Sequence, residues 1–125
     1  MTKNILVVDD SPTMRRMILA SLRDLKNVDF DEASSGLEAI ERLALSAVNL
    51  MILDLNMPDM HGLEVVDFVR KHQVYRSIPI IVLTTRGDDA SRSAALAAGA
   101  SLYITKPFLP QVLASNVTEL LTTNQ

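Results

Sequence analysis

Short apolar runs alternate along the chain with segments in which apolar residues recur every three or four positions. The first pattern is typical of buried strands, and the second is typical of helices that pack on a sheet. Five such pairs in succession predict one α/β domain, a doubly wound parallel sheet with helices on both faces. The predicted strands are residues 3–8, 28–33, 50–53, 78–83 and 102–105.

Capping residues at the ends of the periodic segments indicate where the helices begin and end. Ser11 is the expected N-cap of the first helix, with Pro12 at the first helical position, where its missing N–H is not needed. Ser35 and Glu38 resemble a capping box before the second helix. The other predicted helices run from Gly62 to His72, from residue 88 or 89 to Gly99, and over residues 110–121.

The same periodicity predicts which residues are buried. The expected core residues are Met14, Met17, Ile18, Leu22 and Leu25 in the first helix, Leu37, Ile40, Leu43 and Ala44 in the second, Leu63, Val66 and Val69 in the third, and Leu113, Val117, Leu120 and Leu121 in the last. The second strand alternates apolar with acidic residues, which predicts an edge position. The uninterrupted apolar run at residues 50–53 predicts a central strand.

Polar residues directly follow four of the predicted strands. Asp9 and Asp10 follow the first strand, Asp54 the third, Thr84 the fourth and Lys106 the fifth. Because parallel strands share one direction, these residues are expected to meet at one edge of the sheet. Ligands in such sheets bind where the strand order reverses, which for the order 2-1-3-4-5 lies between strands 1 and 3.

Each of these residues alone fits an ordinary loop or strand position, so the prediction depends on their coincidence. Asp54 is expected to be partly exposed, since an aspartate is rarely buried unless it is paired. Three carboxylates at one edge repel one another, and a hard divalent cation would relieve that repulsion. Oxygen ligands with open positions suit magnesium, Mg2+. With the positive charge of Lys106 and the hydroxyl of Thr84, the cluster is suited to bind a metal and a phosphoryl group.

Composition narrows the class of protein. The 125 residues fit a single domain, 1–125, with no effector domain expected. Cysteine is absent, which excludes disulfides and thiolate sites, and the net charge of −3 argues against nucleic acid or a membrane surface as a partner. There is no signal-peptide pattern, so a cytoplasmic location is the expectation.

Taken together, the motifs resemble the receiver domain of bacterial response regulators over essentially the whole chain. The matching segments are Asp9-Asp10-Ser11, the run Asp54-Leu55-Asn56-Met57-Pro58-Asp59-Met60-His61-Gly62, Thr84, and Lys106-Pro107-Phe108. The closest likeness is to single-domain, CheY-like regulators of two-component and chemotaxis signalling, which have a (βα)5 flavodoxin-like fold. Arg86 departs from it, because the best-known of these regulators carry an acidic residue two positions after the threonine.

This resemblance implies a role for each site residue. Asp54 would accept a phosphoryl group from a histidine kinase, and the protein would catalyse its own phosphorylation and dephosphorylation. Asp10, Asp54 and the backbone carbonyl of Asn56 would hold magnesium, with Asp9 nearby through water. Lys106 and Thr84 would contact the phosphoryl oxygens, and Thr84 and Tyr103 would form the switch. The resemblance also implies a cis bond before Pro107.

Output is expected through another protein. Helix 4, strand 5 and helix 5 form the predicted partner surface, and the lack of charged pairs on the last helix favours a monomer. The signalling alternatives are a phosphorelay step or kinase feedback. A magnesium-dependent aspartyl-phosphate phosphatase is a weaker alternative, because its general acid would stand at Asn56. A flavin-binding module is also disfavoured, because Asp9 and Asp10 would repel its phosphate.

Overall fold

The computed structural model describes residues 2–123, a five-stranded parallel sheet covered by five helices. The strands are β1 (Lys3–Val8), β2 (Val28–Ala33), β3 (Leu50–Leu53), β4 (Ile80–Thr84) and β5 (Leu102–Thr105), and the helices are α1 (Pro12–Leu22), α2 (Gly36–Leu45), α3 (Gly62–Lys71), α4 (Asp89–Ala98) and α5 (Pro110–Thr123). The strand order β2-β1-β3-β4-β5 confirms the predicted topology. None of the helices within residues 2–123 is long and apolar enough to cross a bilayer. Met1, Asn124 and Gln125, which belong to the predicted domain 1–125, lie outside the described residues.

Two apolar cores lie on opposite faces of the sheet. Successive residues of a strand point to opposite faces, so Ile5 and Val7 of β1 pack with α1 and α5, whereas Leu6 and Val8 pack with α2, α3 and α4. All four residues of β3 are buried, as expected for a strand covered on both faces. β2 is an edge strand and is half exposed, which confirms the prediction from its alternating acids.

The helices begin at the predicted caps. Ser11 Oγ accepts the N–H of Met14 at 3.2 Å, and Ser35 Oγ accepts the N–H of Glu38 at 3.1 Å. The second half of the expected capping box differs, because the Glu38 carboxylate accepts the N–H of Ser34 and not that of Ser35. This bond lowers the pKa of Glu38. α4 ends at Gly99, whose φ of 119° is a conformation that residues with a Cβ rarely adopt.

Several predicted core residues are instead exposed. Met17 of α1 is 50% exposed and Leu37 of α2 is 56% exposed, and Ala44 is also exposed. The apolar arcs of these helices are wider than the faces that contact the sheet, so the residues at their margins are left in solvent. In α2 the buried face is formed by Ala39 and Leu43. β4 begins two residues later than predicted, because Pro79 joins the sheet only through its carbonyl, which accepts the N–H of Met51.

Candidate functional site

The sheet register brings two of the predicted carboxylates side by side. Val8 of β1 pairs with Leu53 of β3, so Asp9 and Asp54 follow at the same level of the sheet. The backbone N–H of Asp54 donates to the carbonyl of Val8 at 3.0 Å, which fixes the two strand ends to each other. With Asp10, these residues offer carboxylate oxygens that all lie within 4.8 Å of one another.

The three carboxylates differ in burial. Asp10 is exposed, whereas Asp9 is 1% exposed and Asp54 is 5% exposed. The expectation that Asp54 is partly exposed was therefore wrong. The physical reason is a buried partner, since Lys106 Nζ donates to Asp9 Oδ2 at 2.8 Å and lies 3.4 Å from Asp54 Oδ2.

Lys106 reaches the carboxylates from the end of β5. Its N–H donates to the carbonyl of Thr84 at 2.8 Å, and the following bond to Pro107 is cis, as the resemblance implies. The Lys106 side chain is itself only 9% exposed. One ammonium facing three carboxylates leaves two negative charges at this edge of the sheet.

The donor set fits a hard divalent cation. The oxygens of Asp9, Asp10 and Asp54 are the ligand type that magnesium prefers, and the two uncompensated charges match its own. Within residues 2–123 this is the one cluster of potential metal ligands. The N–H of Asn56 donates to Asp54 Oδ1 at 3.3 Å, which places the start of the β3–α3 loop against the same carboxylate.

Thr84 and Tyr103 lie on neighbouring strands beside this cluster. Thr84 is the last residue of β4 and is fully buried, and its Oγ1 accepts the N–H of Arg86 at 3.4 Å. Tyr103 of β5 is 5% exposed and donates its hydroxyl proton to the carbonyl of Arg86 at 2.6 Å. Burial is the main cause that raises the pKa of Tyr103, and the guanidinium of Arg92 lies 5.6 Å from the ring centroid.

The β3–α3 loop packs closely on the backbone of Asp54. A Cβ on Gly62 would lie 2.6 Å from the Asp54 carbonyl oxygen, so only glycine allows this approach. His61 caps α3 by accepting the N–H of Leu63 at Nδ1, and its own N–H donates to the Glu64 carboxylate. Neither contact involves the carboxylate cluster.

Asp59 joins the same loop to the next element. Its carboxylate accepts the N–H groups of Leu37 at 3.0 Å and Gly36 at 3.2 Å, at the N-terminus of α2. The bond from Leu37 is the main cause that lowers the pKa of Asp59. The loop that follows Asp54 is therefore fixed to α2 by a charge-assisted contact.

The structure brings together the residues that the strand ends predict and adds contacts that they do not. The residues at this edge of the sheet are Asp9, Asp10, Asp54, Asn56, Thr84 and Lys106, and Tyr103 lies on β5, where it pairs with Val82 of β4. Sequence reasoning missed Arg15, which donates to the carbonyl of Asp9 at 2.6 Å and pairs with Glu32. It also missed the bond from Arg86 Nε to Asn56 Oδ1 at 2.9 Å. Neither arginine carries a sequence signal for these contacts, because both depend on distances between separate elements.

Comparisons with known proteins give a consistent result. The family model of the response regulator receiver domain matches residues 5–118. Chemotaxis protein CheY1 of Helicobacter pylori is 47% identical over 121 residues, which cover 96% of this chain and 98% of that protein. The chemotaxis protein CheY homolog of Campylobacter jejuni is 47% identical over 120 residues, 95% of this chain and 92% of that protein. The structure of the chemotaxis response regulator CheY4 of Vibrio cholerae matches with a TM-score of 0.86 at 32% identity, covering 96% of this chain and 99% of that one.

Proposed function

The chain belongs to the response regulator receiver family and is a phosphorylation-activated signalling switch, and we propose that Asp54 is the residue that accepts the phosphoryl group. One observation carries the assignment: Asp54 Oδ2 lies 3.4 Å from the ammonium of Lys106, within a cluster of three carboxylates at the end of a central strand. A nucleophilic carboxylate beside a fixed cation is suited to receive an anionic group.

The proposed transfer uses the chain's own carboxylate as nucleophile. An oxygen of Asp54 forms a bond to phosphorus while the bond from phosphorus to the imidazole nitrogen of the donor histidine breaks, and the released imidazole takes up a proton. Lys106, which Asp9 holds in place, neutralises charge on the phosphoryl oxygens. The hydroxyl of Thr84 supplies a second contact from the end of β4.

Magnesium is the proposed cofactor. Asp9, Asp10, Asp54 and the backbone carbonyl of Asn56 would hold it, and their hard oxygen donors support this assignment. When bound, the ion offsets the negative charge that the phosphoryl group brings to the carboxylates.

Thr84 and Tyr103 form the proposed switch. A phosphoryl group adds a charge of about −1.5 to −2 and strong acceptor oxygens, which draw the Thr84 hydroxyl toward Asp54. Tyr103 lies on β5, the neighbour of β4, and its hydroxyl donates to the carbonyl of Arg86 in the loop that follows Thr84. Phosphorylation would thereby favour the inward position of the Tyr103 ring.

The proposed partners are a histidine kinase and a downstream protein that binds α4, β5 and α5. The outer face of α5 is polar and uncharged at Gln111, Ser115, Thr118 and Thr122. Val112 of α5 and Leu96 of α4 add exposed apolar side chains to the elements of the proposed surface. The chemotaxis proteins that resemble the chain support chemotaxis as the pathway, with a phosphorelay step or kinase feedback as the alternative. In this role the protein would act as a cytoplasmic monomer through its receiver domain, residues 1–125.

The phosphatase alternative lacks one catalytic group. An aspartyl-phosphate phosphatase needs a general acid two residues after the nucleophile, and Asn56 occupies that position here. The Asn56 side chain instead accepts a hydrogen bond from Arg86. This arrangement favours a phosphoryl group that persists as a signal over one that is hydrolysed at each turnover.

Intact-mass measurement after incubation with acetyl phosphate and magnesium tests the assignment. The wild-type chain should gain one phosphoryl group and Asp54→Asn none, while Asp24→Asn, which removes an exposed carboxylate after α1 and outside the cluster, should be modified like the wild type. Modification of Asp54→Asn to the wild-type extent would refute it. Affinity capture with the phosphorylated and unphosphorylated forms would then identify the kinase and the target.

A further inference from the structure

Arg86 contacts two parts of the proposed site. These are the β3–α3 loop after Asp54, called here the phosphoacceptor loop, and the proposed switch residues Thr84 and Tyr103. Its Nε donates to Asn56 Oδ1 at 2.9 Å, two residues after Asp54. Its backbone N–H donates to Thr84 Oγ1, and its carbonyl accepts the Tyr103 hydroxyl at 2.6 Å. Arg86, a residue of the β4–α4 loop, therefore forms hydrogen bonds with Asn56, Thr84 and Tyr103.

These three bonds join only atoms of the protein. The carbonyl of Arg86 can accept the hydroxyl proton of the buried Tyr103 only while the β4–α4 loop holds that carbonyl beside the hydroxyl. The side-chain bond to Asn56 ties the same loop to the end of β3. Because no phosphoryl oxygen takes part, the bonds favour the inward ring in the unmodified protein as well.

Packing around the ring gives Arg86 a defined role. The guanidinium of Arg92 covers the outer side of Tyr103 at 5.6 Å from the centroid, which shields the ring but does not fix its hydroxyl. Gly87, next in the loop, has only Thr105 Cγ2 within 4 Å of a Cβ position, so packing does not hold this part of the loop tightly. The position of the loop then depends on its hydrogen bonds, among which the arginine side chain makes the one to the phosphoacceptor loop.

We propose that Arg86 is a positioning residue whose side-chain bond to Asn56 holds the β4–α4 loop so that Tyr103 stays inward without phosphorylation. The unphosphorylated chain then presents part of its target-binding surface, and phosphorylation increases a population that already exists. The proposal rests on the switch role given above to Thr84 and Tyr103. By linkage, if phosphorylation favours the inward ring, then a bond that favours the inward ring also favours phosphorylation.

Quenching of tyrosine fluorescence tests the proposal. The chain has two tyrosines and no tryptophan, so Tyr75→Phe leaves Tyr103 as the only emitter. Acrylamide is a neutral quencher, and a change of protein charge does not bias it. In the unphosphorylated Tyr75→Phe parent the quenching constant should be low, and Arg86→Met should raise it about two- to fivefold. Arg23→Met removes an equal charge from an exposed position after α1 and should match the parent.

Asn56→Ala removes the same bond from the other side and covers the case in which Arg86→Met fails to fold. It should raise the quenching constant as Arg86→Met does, and the double variant should show no further increase. A quenching constant that stays at the parent value in both single variants would overturn the proposal, as would effects that multiply in the double variant. Acetyl phosphate with magnesium should restore shielding in Arg86→Met. A different result is that acetyl phosphate leaves the quenching constant of Arg86→Met high while the unphosphorylated variants still show the expected increase. That result would contradict the proposed phosphorylation switch, but not the proposed role of the hydrogen bond between Arg86 and Asn56.

Discussion

Lys106 compensates charge that the chain otherwise buries without a partner. Within residues 2–123 it is the only cationic side chain that contacts the carboxylates of Asp9 and Asp54, at 2.8 and 3.4 Å. A buried carboxylate is costly unless it is paired, and two of them share this one ammonium. We therefore expect Lys106 to stabilise the folded protein, in addition to its proposed contact with the phosphoryl group.

Lys106→Met should destabilise the metal-free protein by about 3 kcal/mol, because it leaves two buried carboxylates without a cation. Magnesium should recover more stability in this variant than in the wild type, since the ion becomes the only compensating charge. Urea unfolding followed by circular dichroism, with chelator or with magnesium, measures both effects.

Lys71→Met is the matched control for that substitution. Lys71 pairs with Asp67 at 3.0 Å, but its side chain is 76% exposed, so the loss should stay below about 0.5 kcal/mol. Equal losses in the two variants would mean that Lys106 is not the compensating charge described here.

At the scale of elements, the loop after β3 is held in place by contacts with α2 and α3. Gly62 lies against the Asp54 carbonyl, and Asp59 binds the first two N–H groups of α2. A carboxylate at a helix N-terminus also interacts favourably with the helix dipole. The position of Asp54 is thus linked to α2 and α3 as well as to the sheet.

The Asp59 contact should make stability depend on pH in the acid range. The Leu37 N–H bond holds the folded pKa of Asp59 below its ordinary value of 3.8, so this contribution is present at neutral pH. As pH falls from about 4, Asp59 is protonated in the unfolded chain before it is protonated in the folded protein. The stabilisation by this contact is therefore lost as pH falls through the lowered pKa of the folded state. The difference in urea midpoint between wild type and Asp59→Asn should therefore narrow between pH 7 and pH 3.

Asp29→Asn gives the comparison for Asp59→Asn. Asp29 is an exposed acid on the edge strand β2, and its removal measures the effect of one lost negative charge without the loss of a helix cap. A midpoint difference for Asp59→Asn that is the same at pH 7 and pH 3 would contradict the proposed linkage.

The elements were largely predictable because each strand has one simple signature. β3 is an uninterrupted apolar run since both of its faces are covered, and β2 alternates since it lies at the edge. Helix faces were predicted less well, because periodicity gives the apolar arc and not the part of it that contacts the sheet. Met17 and Leu37 belong to that arc and remain exposed for this reason.

The grouping of the site residues was predictable for a different reason. Parallel strands must present their carboxyl ends at one edge, so Asp9, Asp54 and Lys106 could be grouped without knowledge of any distance. The pairing of Lys106 with Asp9, and the bond from Arg86 to Asn56, depend on the path of loops and the reach of long side chains. Sequence patterns carry no information about either.

At the scale of the whole molecule, the carboxylate cluster would link folding stability to the proposed binding of magnesium. Within residues 2–123, Asp10 is the member of the cluster that makes no hydrogen bond or ion pair, and it is exposed, whereas the other two are buried and share Lys106. Asp10 would therefore add charge repulsion in the absence of metal and would be an available ligand for a bound magnesium ion. Fold stability and metal affinity should respond to its removal in opposite directions.

Magnesium should raise the melting temperature of the wild type, because a ligand that binds the folded state alone stabilises it by about 2.7 kcal/mol at a hundredfold excess over its Kd. Asp10→Asn should melt at the same or a higher temperature than the wild type in chelator. In magnesium it should gain less, by about 1.4 kcal/mol if affinity falls tenfold. Calorimetry with chelator and with magnesium measures both differences.

Asp24→Asn separates this effect from the general loss of one negative charge, since Asp24 is exposed after α1 and outside the cluster. It should keep the full wild-type gain in magnesium. The three carboxylates would not be a metal site if chelation left the wild-type melting curve unchanged. A wild-type gain in Asp10→Asn would limit the site to Asp9 and Asp54, and the exposed carboxylate would then have no role in binding the ion.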